Sequence, residues 1–555
     1  MRRFYFLFTI LALLCTLSMA QEKKTKPKLI STFPANVNRP KLIVGLVVDQ
    51  MRWDYLYRYY SRYSNGGFKR LINEGFSAEN TFIPYTPTYT ACGHASIYTG
   101  SVPAINGIIG NDWYDPQSKR GVYCAEDTSV TTVGSNTKAG LMSPKNMLTT
   151  TITDELRLAT NFKSKVIGIS LKDRGSILPA GHSANAAYWY DGQTGDWITS
   201  SYYMKKLPAW LEDYNKIKLA NKFFDKNWNT LYPIETYTQS TADNVRYEGK
   251  ARGEETPTFP HPLKLYAGKN YEMIKSTPYG NTITLDFAKL AILSEDLGQG
   301  SATDFLAVSC SATDYVGHQY GPNSIEIEDT YLRLDKDLEE FFNYLDTKVG
   351  KGNYLFFLSA DHGVAHAPTF MEDNKLPGGL YSDSKVIKTL NTLIEEKYNV
   401  KKAIVTSKNS QFYFDHDAVK AANADFTAIK NLAIETLKKE DEVFDAVDLN
   451  NLANETIPEQ IKKAITYGYN AKRSGDIYYL LKSNYFDGGK TGTTHGSWNP
   501  YDAHIPCVFM GWNVKPGKTN KTYYMTDIAA TLAAMLHIQM PSGCVGAPIT
   551  ELTHQ

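Results

Sequence analysis

Runs of consecutive apolar residues, each cut off by an acid or a histidine, are the dominant pattern along this chain. Leu42-Ile43-Val44-Gly45-Leu46-Val47-Val48 ends at Asp49-Gln50. Phe305-Leu306-Ala307-Val308-Ser309-Cys310 is followed by Asp314 and His318, and Tyr354-Leu355-Phe356-Phe357-Leu358-Ser359-Ala360 runs straight into Asp361-His362-Gly363. Uninterrupted β-rich runs, in contrast to alternating ones, predict strands buried on both faces of a parallel sheet. Ser164–Leu171 and Ile505–Gly511 read the same way, and Ser474–Lys482 reads as a further strand. Helical spacing covers Thr284–Leu297, Phe426–Lys439 and Thr526–His537, the last stopped by Pro541. The expected fold class is therefore α/β, with a mostly parallel central sheet flanked by helices on both faces. No repeat, low-complexity tract or Gly/Ser linker divides the 555 residues. A single catalytic domain over 21–555 is expected, with insertions over the carboxyl edge of the sheet near 188–262 and 369–482.

Composition narrows the setting. Met1-Arg2-Arg3, the apolar stretch Phe4–Leu17 and the small residues of Ser18-Met19-Ala20 describe a secretory signal peptide over 1–20, cleaved after Ala20. A periplasmic or secreted protein is expected, and no later run is long enough to span a membrane. Of six cysteines, Cys15 falls in the leader, leaving Cys92, Cys124, Cys310, Cys507 and Cys544. One or two disulfides are open to that set, with no pairing readable from the sequence. A net charge of +1 without a basic block gives nucleic-acid binding no electrostatic support. The 38 tyrosines read as packing and amphipathic surface residues.

Candidate chemistry lies at the strand ends, where open α/β sheets bind ligands. Asp49, Asp314, His318, Asp361 and His362 all emerge there. Singly, each is an ordinary turn residue. Together they form carboxylate–imidazole sets of the kind that hold zinc, with Asp314 and His318 one helical turn apart and His495 added from the Gly488–Ser497 loop. Two ions roughly 4 Å apart can clamp the attacking and leaving oxygens of an in-line displacement. Thr90 follows Pro84 and Pro87 where a loop turns into a helix; it serves there either as a cap or as a hydroxyl nucleophile. Lys172 and Arg174 follow a strand and are either surface charge or a phosphate-binding pair. Asn111, after Gly110, is a turn residue or an oxyanion donor. His94, His182, His366, His504 and His537 carry no assignment; His366 and His504 are weak candidates for extra ligands.

The motifs Val47-Val48-Asp49-Gln50-Met51-Arg52, Thr86-Pro87-Thr88-Tyr89-Thr90, Gly110-Asn111, Lys172-Asp173-Arg174, Asp314-Tyr315-Val316-Gly317-His318, Ser359-Ala360-Asp361-His362-Gly363 and Thr494-His495-Gly496 together carry a family likeness. The chain resembles the alkaline phosphatase superfamily, and within it the PafA-type (phosphate-irrepressible) bacterial alkaline phosphatases, which are related to the nucleotide pyrophosphatase/phosphodiesterases. The resemblance covers nearly the whole mature chain. It implies two zinc ions per chain, one held by Asp314, His318 and His495, the other by Asp49, Asp361 and His362 beside the nucleophile Thr90. It implies that Asn111, Lys172 and Arg174 contact the non-bridging oxygens of a phosphate monoester, hydrolysed in two steps through phosphothreonine. A sulfatase would need a Cys/Ser-x-Pro-x-Arg nucleophile motif, which Cys92-Gly93-His94-Ala95-Ser96 is not. A phosphodiesterase or nucleotide pyrophosphatase is the alternative on the same scaffold. Two cations at Lys172 and Arg174 suit the dianionic end of a monoester better. A zinc- or phosphate-binding protein without turnover leaves Thr90 unexplained.

Overall fold

The computed structural model describes residues 38–553; the expected leader, with Cys15, lies outside them. Arg39–Gln555 holds together as one unit. Its centre is an 11-stranded mixed sheet. The middle of that sheet is parallel, in the spatial order Tyr354–Ser359, Leu42–Val48, Asp304–Cys310, Val166–Ser170, Ala186–Asp191. Every residue of Leu42–Val48, Asp304–Cys310 and Tyr354–Ser359 is buried, as continuous apolar runs require. Register matters for the site. Val47 pairs with both Ser359 and Ser309, so the three strands end level and release Asp49, Asp314 and Asp361 at one edge.

Mostly antiparallel strands complete the sheet, with Gly517–Tyr524 pairing parallel to Phe76–Phe82. Cys507–Gly511 lies against Tyr354–Ser359, Phe76–Phe82 pairs with it, and Asp196–Ser200 closes the other side on Ala186–Asp191. Neighbouring side chains on a strand point to opposite faces. Phe342 of the helix Ile325–Leu345 meets Phe356, whereas Tyr98 of the helix Thr90–Thr99 meets Phe357, so helices cover both faces.

Several boundaries differ from expectation. The region 188–262 begins inside the central sheet, because Ala186–Asp191 and Asp196–Ser200 form a hairpin within it. Their mixed aromatic and polar residues mask a strand that is buried on both faces, with Tyr188 and Tyr190 in one apolar cluster and Ala187 and Trp189 in another. The region 369–482 gives no strand to the central sheet. It holds a separate four-stranded antiparallel sheet in the order Ile404–Lys408, Gln411–Phe414, Ile477–Leu481, Val443–Asp448. Helices Asp383–Tyr398 and Phe426–Leu437 share its apolar core. The helix expected from Thr284 starts earlier, at Tyr279, after Pro278. Cys92, Cys124, Cys310, Cys507 and Cys544 are all free thiols, the first four buried, so no disulfide forms among the described residues. No helix among the described residues is long and apolar enough to cross a membrane.

Candidate active site

Thr90 opens a ten-residue helix in which every residue is buried. The capping position belongs to Tyr89, in extended conformation and with no side-chain cap bond. The Thr90 hydroxyl is thus not a cap. Its Oγ1 lies 3.3 Å from His362 Nε2, at a helix N-terminus that favours negative charge. One turn later Gly93 packs on the end of the neighbouring strand so closely that a Cβ there would lie 2.3 Å from the Asp361 carbonyl oxygen.

Imidazole orientation is set by backbone carbonyls, which can only accept. His318 Nδ1 donates to Thr493 O at 2.8 Å, His362 Nδ1 to Gly363 O at 2.9 Å and His495 Nδ1 to Thr88 O at 2.7 Å. His362 and His495 therefore present Nε2 lone pairs to the site, the arrangement metal-ligating histidines need, while His318 turns its Nε2 to Asp314, which raises its pKa against the effect of burial. Two donor groups result, Asp49/Asp361/His362 and Asp314/His362/His495, each with its ligand atoms within 4.8 Å of one another. His362 is common to both, and its ring stacks on that of His495 at 3.4 Å. His318, expected beside His495, instead brings its Nε2 to 3.1 Å from Asp314 Oδ1 and stands outside the tighter group.

Charge at the site is poorly balanced without a cation. Asp49 Oδ1 and Asp361 Oδ2 are buried with no hydrogen-bond partner among the described residues. Burial, then Asp314 and Asp361, pushes Asp49 well above the usual carboxylate range, against the pull of Lys172. Burial also works upward on Asp314 and Asp361, but the neighbouring imidazoles and Lys172 outweigh it and hold both low. His362 and His495 are pushed down chiefly by burial, which keeps their lone pairs available. Orphaned carboxylate oxygens facing neutral imidazoles fit divalent metal ions.

Lys172 is the cation already present. Its Nζ donates to Asp49 Oδ2 at 2.7 Å and to Asp314 Oδ2 at 2.5 Å. Burial works against the ammonium, but Asp314 and Asp49 hold its pKa above the ordinary lysine value. Asn111 Oδ1 accepts from the Ala91 N–H at 2.9 Å, which ties the amide to the Thr90 helix and leaves its NH₂ as a donor. Arg174 stands further out. Its Nη1 donates to Tyr123 Oη at 3.2 Å, while its buried Nε has no partner among the described residues.

Some participants carry no strong sequence signal. Gln50, at φ 66°, donates from Nε2 to Asp314 Oδ1 at 2.7 Å and from its backbone N–H to Asp361 Oδ1 at 3.1 Å. His94 is buried, joins Thr90 O to Ser309 Oγ at 2.9 Å each and approaches Asp361 Oδ2 at 3.3 Å. His366 and His504 are engaged elsewhere, with Asn323 and the Glu79 carbonyl respectively.

Residues 43–502 match the family described as type I phosphodiesterase / nucleotide pyrophosphatase. Alkaline phosphatase PhoV of Synechococcus elongatus is 61% identical over 544 residues, 98% of either chain. A Myroides odoratus protein named calcium-transporting ATPase is 56% identical over 524 residues, 94% of this chain and 96% of its own. The crystal structure of wild-type alkaline phosphatase PafA is 51% identical and superposes with a TM-score of 0.91, covering 93% of this chain and 99% of that one.

Proposed function

The chain belongs to the type I phosphodiesterase / nucleotide pyrophosphatase family and is an alkaline phosphatase, as its relatives PhoV and PafA are named; on that premise we propose that it hydrolyses phosphate monoesters to inorganic phosphate through a phosphothreonine at Thr90, with two zinc ions. The leader-like N-terminus supports export to the periplasm or beyond. The observation that carries the reading is the Thr90 hydroxyl, released from capping and aimed at His362 within a ring of buried carboxylates.

Asp49, Asp361 and His362 would hold one ion, and Asp314, His318 and His495 the other, with His362 standing close to both groups. Bound zinc would lower the pKa of the Thr90 hydroxyl and supply positive charge at the attacking and leaving oxygens. Thr90 Oγ1 then forms a bond to phosphorus as the bond to the leaving oxygen breaks. Water then attacks phosphorus from the side the leaving group vacated, opposite Thr90 Oγ1, so that the Oγ1–P bond breaks, Thr90 regains a proton from that water and phosphate is released. The Asn111 NH₂, Lys172 and Arg174 hold the non-bridging oxygens, and the helix N-terminus adds its dipole. Phosphoryl transfer depends on positioning and charge compensation, so this set suffices without a protein base.

The family's name also covers diesters. Two cations favour a dianionic end group, and so a monoester. The test is kcat/KM of the zinc-loaded protein for an aryl phosphate and for its methyl ester. Preference for the monoester, and loss of turnover in Thr90→Ala with zinc retained, are expected. Preference for the diester would replace this reading with a phosphodiesterase; turnover surviving in Thr90→Ala would remove the phosphothreonine.

A further inference from the structure

A cavity of about 320 Å³ opens between the catalytic edge and the separate four-stranded sheet. Its inner wall includes Asn111 and His495. Under the proposed function, on which this inference rests, Asn111 holds a phosphoryl oxygen and His495 serves the leaving side. A monoester bound between them can extend its leaving group into this cavity. Its size falls in the range of roughly 300–1,000 Å³ usual for ligand pockets.

The lining has two distinct characters. Tyr89, Tyr485, Phe486 and Trp498 present partly buried rings, more than a short alkyl leaving group could use. Aromatic faces of this kind stack on flat heterocycles whatever their sequence of substituents. The outer part carries Asp383 and Asp487. The lining's single ammonium, Lys408, is already committed to Asp112 Oδ1 at 2.9 Å. Asp502, also in the lining, is engaged through Oδ2 with Gly496 N and Ser497 N. A second phosphate would meet two carboxylates and no free cation, whereas hydroxyl or amino donors would find acceptors.

We infer that this cavity is a leaving-group subsite enclosed between the 369–482 region and the segment that follows it, and that it selects nucleoside monophosphates over both small alkyl phosphates and nucleoside diphosphates. The rings supply the first preference, and Asp383 with Asp487 the second. This lining thereby gives a phosphate-centred site a preference for what the phosphate is attached to.

The experiment compares kcat/KM of the zinc-loaded enzyme for AMP, glycerol 1-phosphate and ADP. AMP and glycerol 1-phosphate both release a primary alcohol, so intrinsic reactivity is matched. AMP is expected to lead by about tenfold or more, as base stacking allows. In Tyr485→Ala/Phe486→Ala the AMP-to-glycerol-phosphate ratio should fall toward one. In Asp383→Asn/Asp487→Asn the ADP-to-AMP ratio should rise several-fold. Equal wild-type rates on AMP and glycerol 1-phosphate, or ratios unmoved in the variants, overturn the subsite while leaving the monoesterase intact. Failure of the wild type on both monoesters overturns the monoesterase reading and the subsite with it.

Discussion

Replacing Lys172 by alanine separates two things this ammonium does. It is buried, 4% exposed, and bonded to Asp49 and Asp314 at 2.7 and 2.5 Å. In chelated protein its removal leaves two buried carboxylates without their counter-charge, a loss of roughly 3–5 kcal/mol when one partner of a buried pair is deleted. Two bound divalent ions supply that charge instead, so the loss should shrink sharply in zinc-loaded protein. Catalysis is affected differently. A charge-assisted hydrogen bond to a phosphoryl oxygen contributes roughly 1.5–3 kcal/mol, or roughly 10- to 150-fold in kcat/KM. An aryl phosphate carries one more negative charge than its methyl ester and should lose more. The assays are thermal unfolding with and without chelator, and kcat/KM on both esters at verified zinc content. Equal losses on the two esters at full zinc would refute the substrate contact and leave Lys172 a partner of the carboxylates alone. Unchanged stability of the chelated variant would refute the electrostatic argument.

Glu248 gives a pH prediction. It is 3% exposed, both carboxylate oxygens lack partners among the described residues, and burial followed by Glu326 pushes its pKa up to about 10. The folded state therefore keeps a proton that the unfolded chain loses near 4.5; the associated stability is full below that value and is lost as pH rises through about 10. Glu248→Gln should flatten the fall of stability between about pH 6 and 9, a slope of up to about 1.4 kcal/mol per pH unit; a melting profile parallel to wild type would count against it. At the insertion's hairpin, Asn409 Nδ2 donates to Asp112 O at 2.8 Å and its side chain fills the space over Gly110, where a Cβ would come within 2.3 Å. Asn409→Ala should lower kcat/KM about tenfold through loss of one positioning hydrogen bond beside Asn111, with zinc content unchanged; unaltered kcat/KM would show the hairpin tip to be dispensable.

The parts of this molecule legible in the sequence are those written locally. Buried strands are continuous apolar runs, and Asp49, Asp314 and Asp361 stand within a few residues of their ends, so strand and acid are read together. The histidines' orientation was not legible. His495 is fixed by the carbonyl of Thr88, 407 positions away, and a carbonyl belongs to every residue type alike. Gln50 was hidden for the opposite reason: a single amide beside a stronger motif, whose left-handed conformation leaves no mark in composition. A signal did exist for the hairpin that begins the region 188–262. Gly192 and Gly195 flank its turn, but the strand's aromatic and polar mixture concealed its place in the main sheet. The hairpin at Asn409-Ser410, both at φ 58°, was readable in kind but not in destination, since only tertiary packing brings it to Gly110. Cys92, Cys310 and Cys507 are free thiols packed as apolar residues of the main core and Cys124 of a second cluster, a role that cysteine counting does not register.

Gly93 has an evolutionary consequence. Because a Cβ at Gly93 would meet the Asp361 backbone, the spacing between the Thr90 helix and the end of the Tyr354–Ser359 strand rests on two main chains in contact, with His94 as a side-chain bridge between them. Under the proposed function, substitutions at Lys172 or Arg174 would retune which esters are accepted without moving the hydroxyl, whereas Asn111 is bonded to the helix itself through the Ala91 N–H. A scaffold with its ruler in the backbone is free to diversify its chemistry one side chain at a time, and Gly93 is the position where that freedom stops.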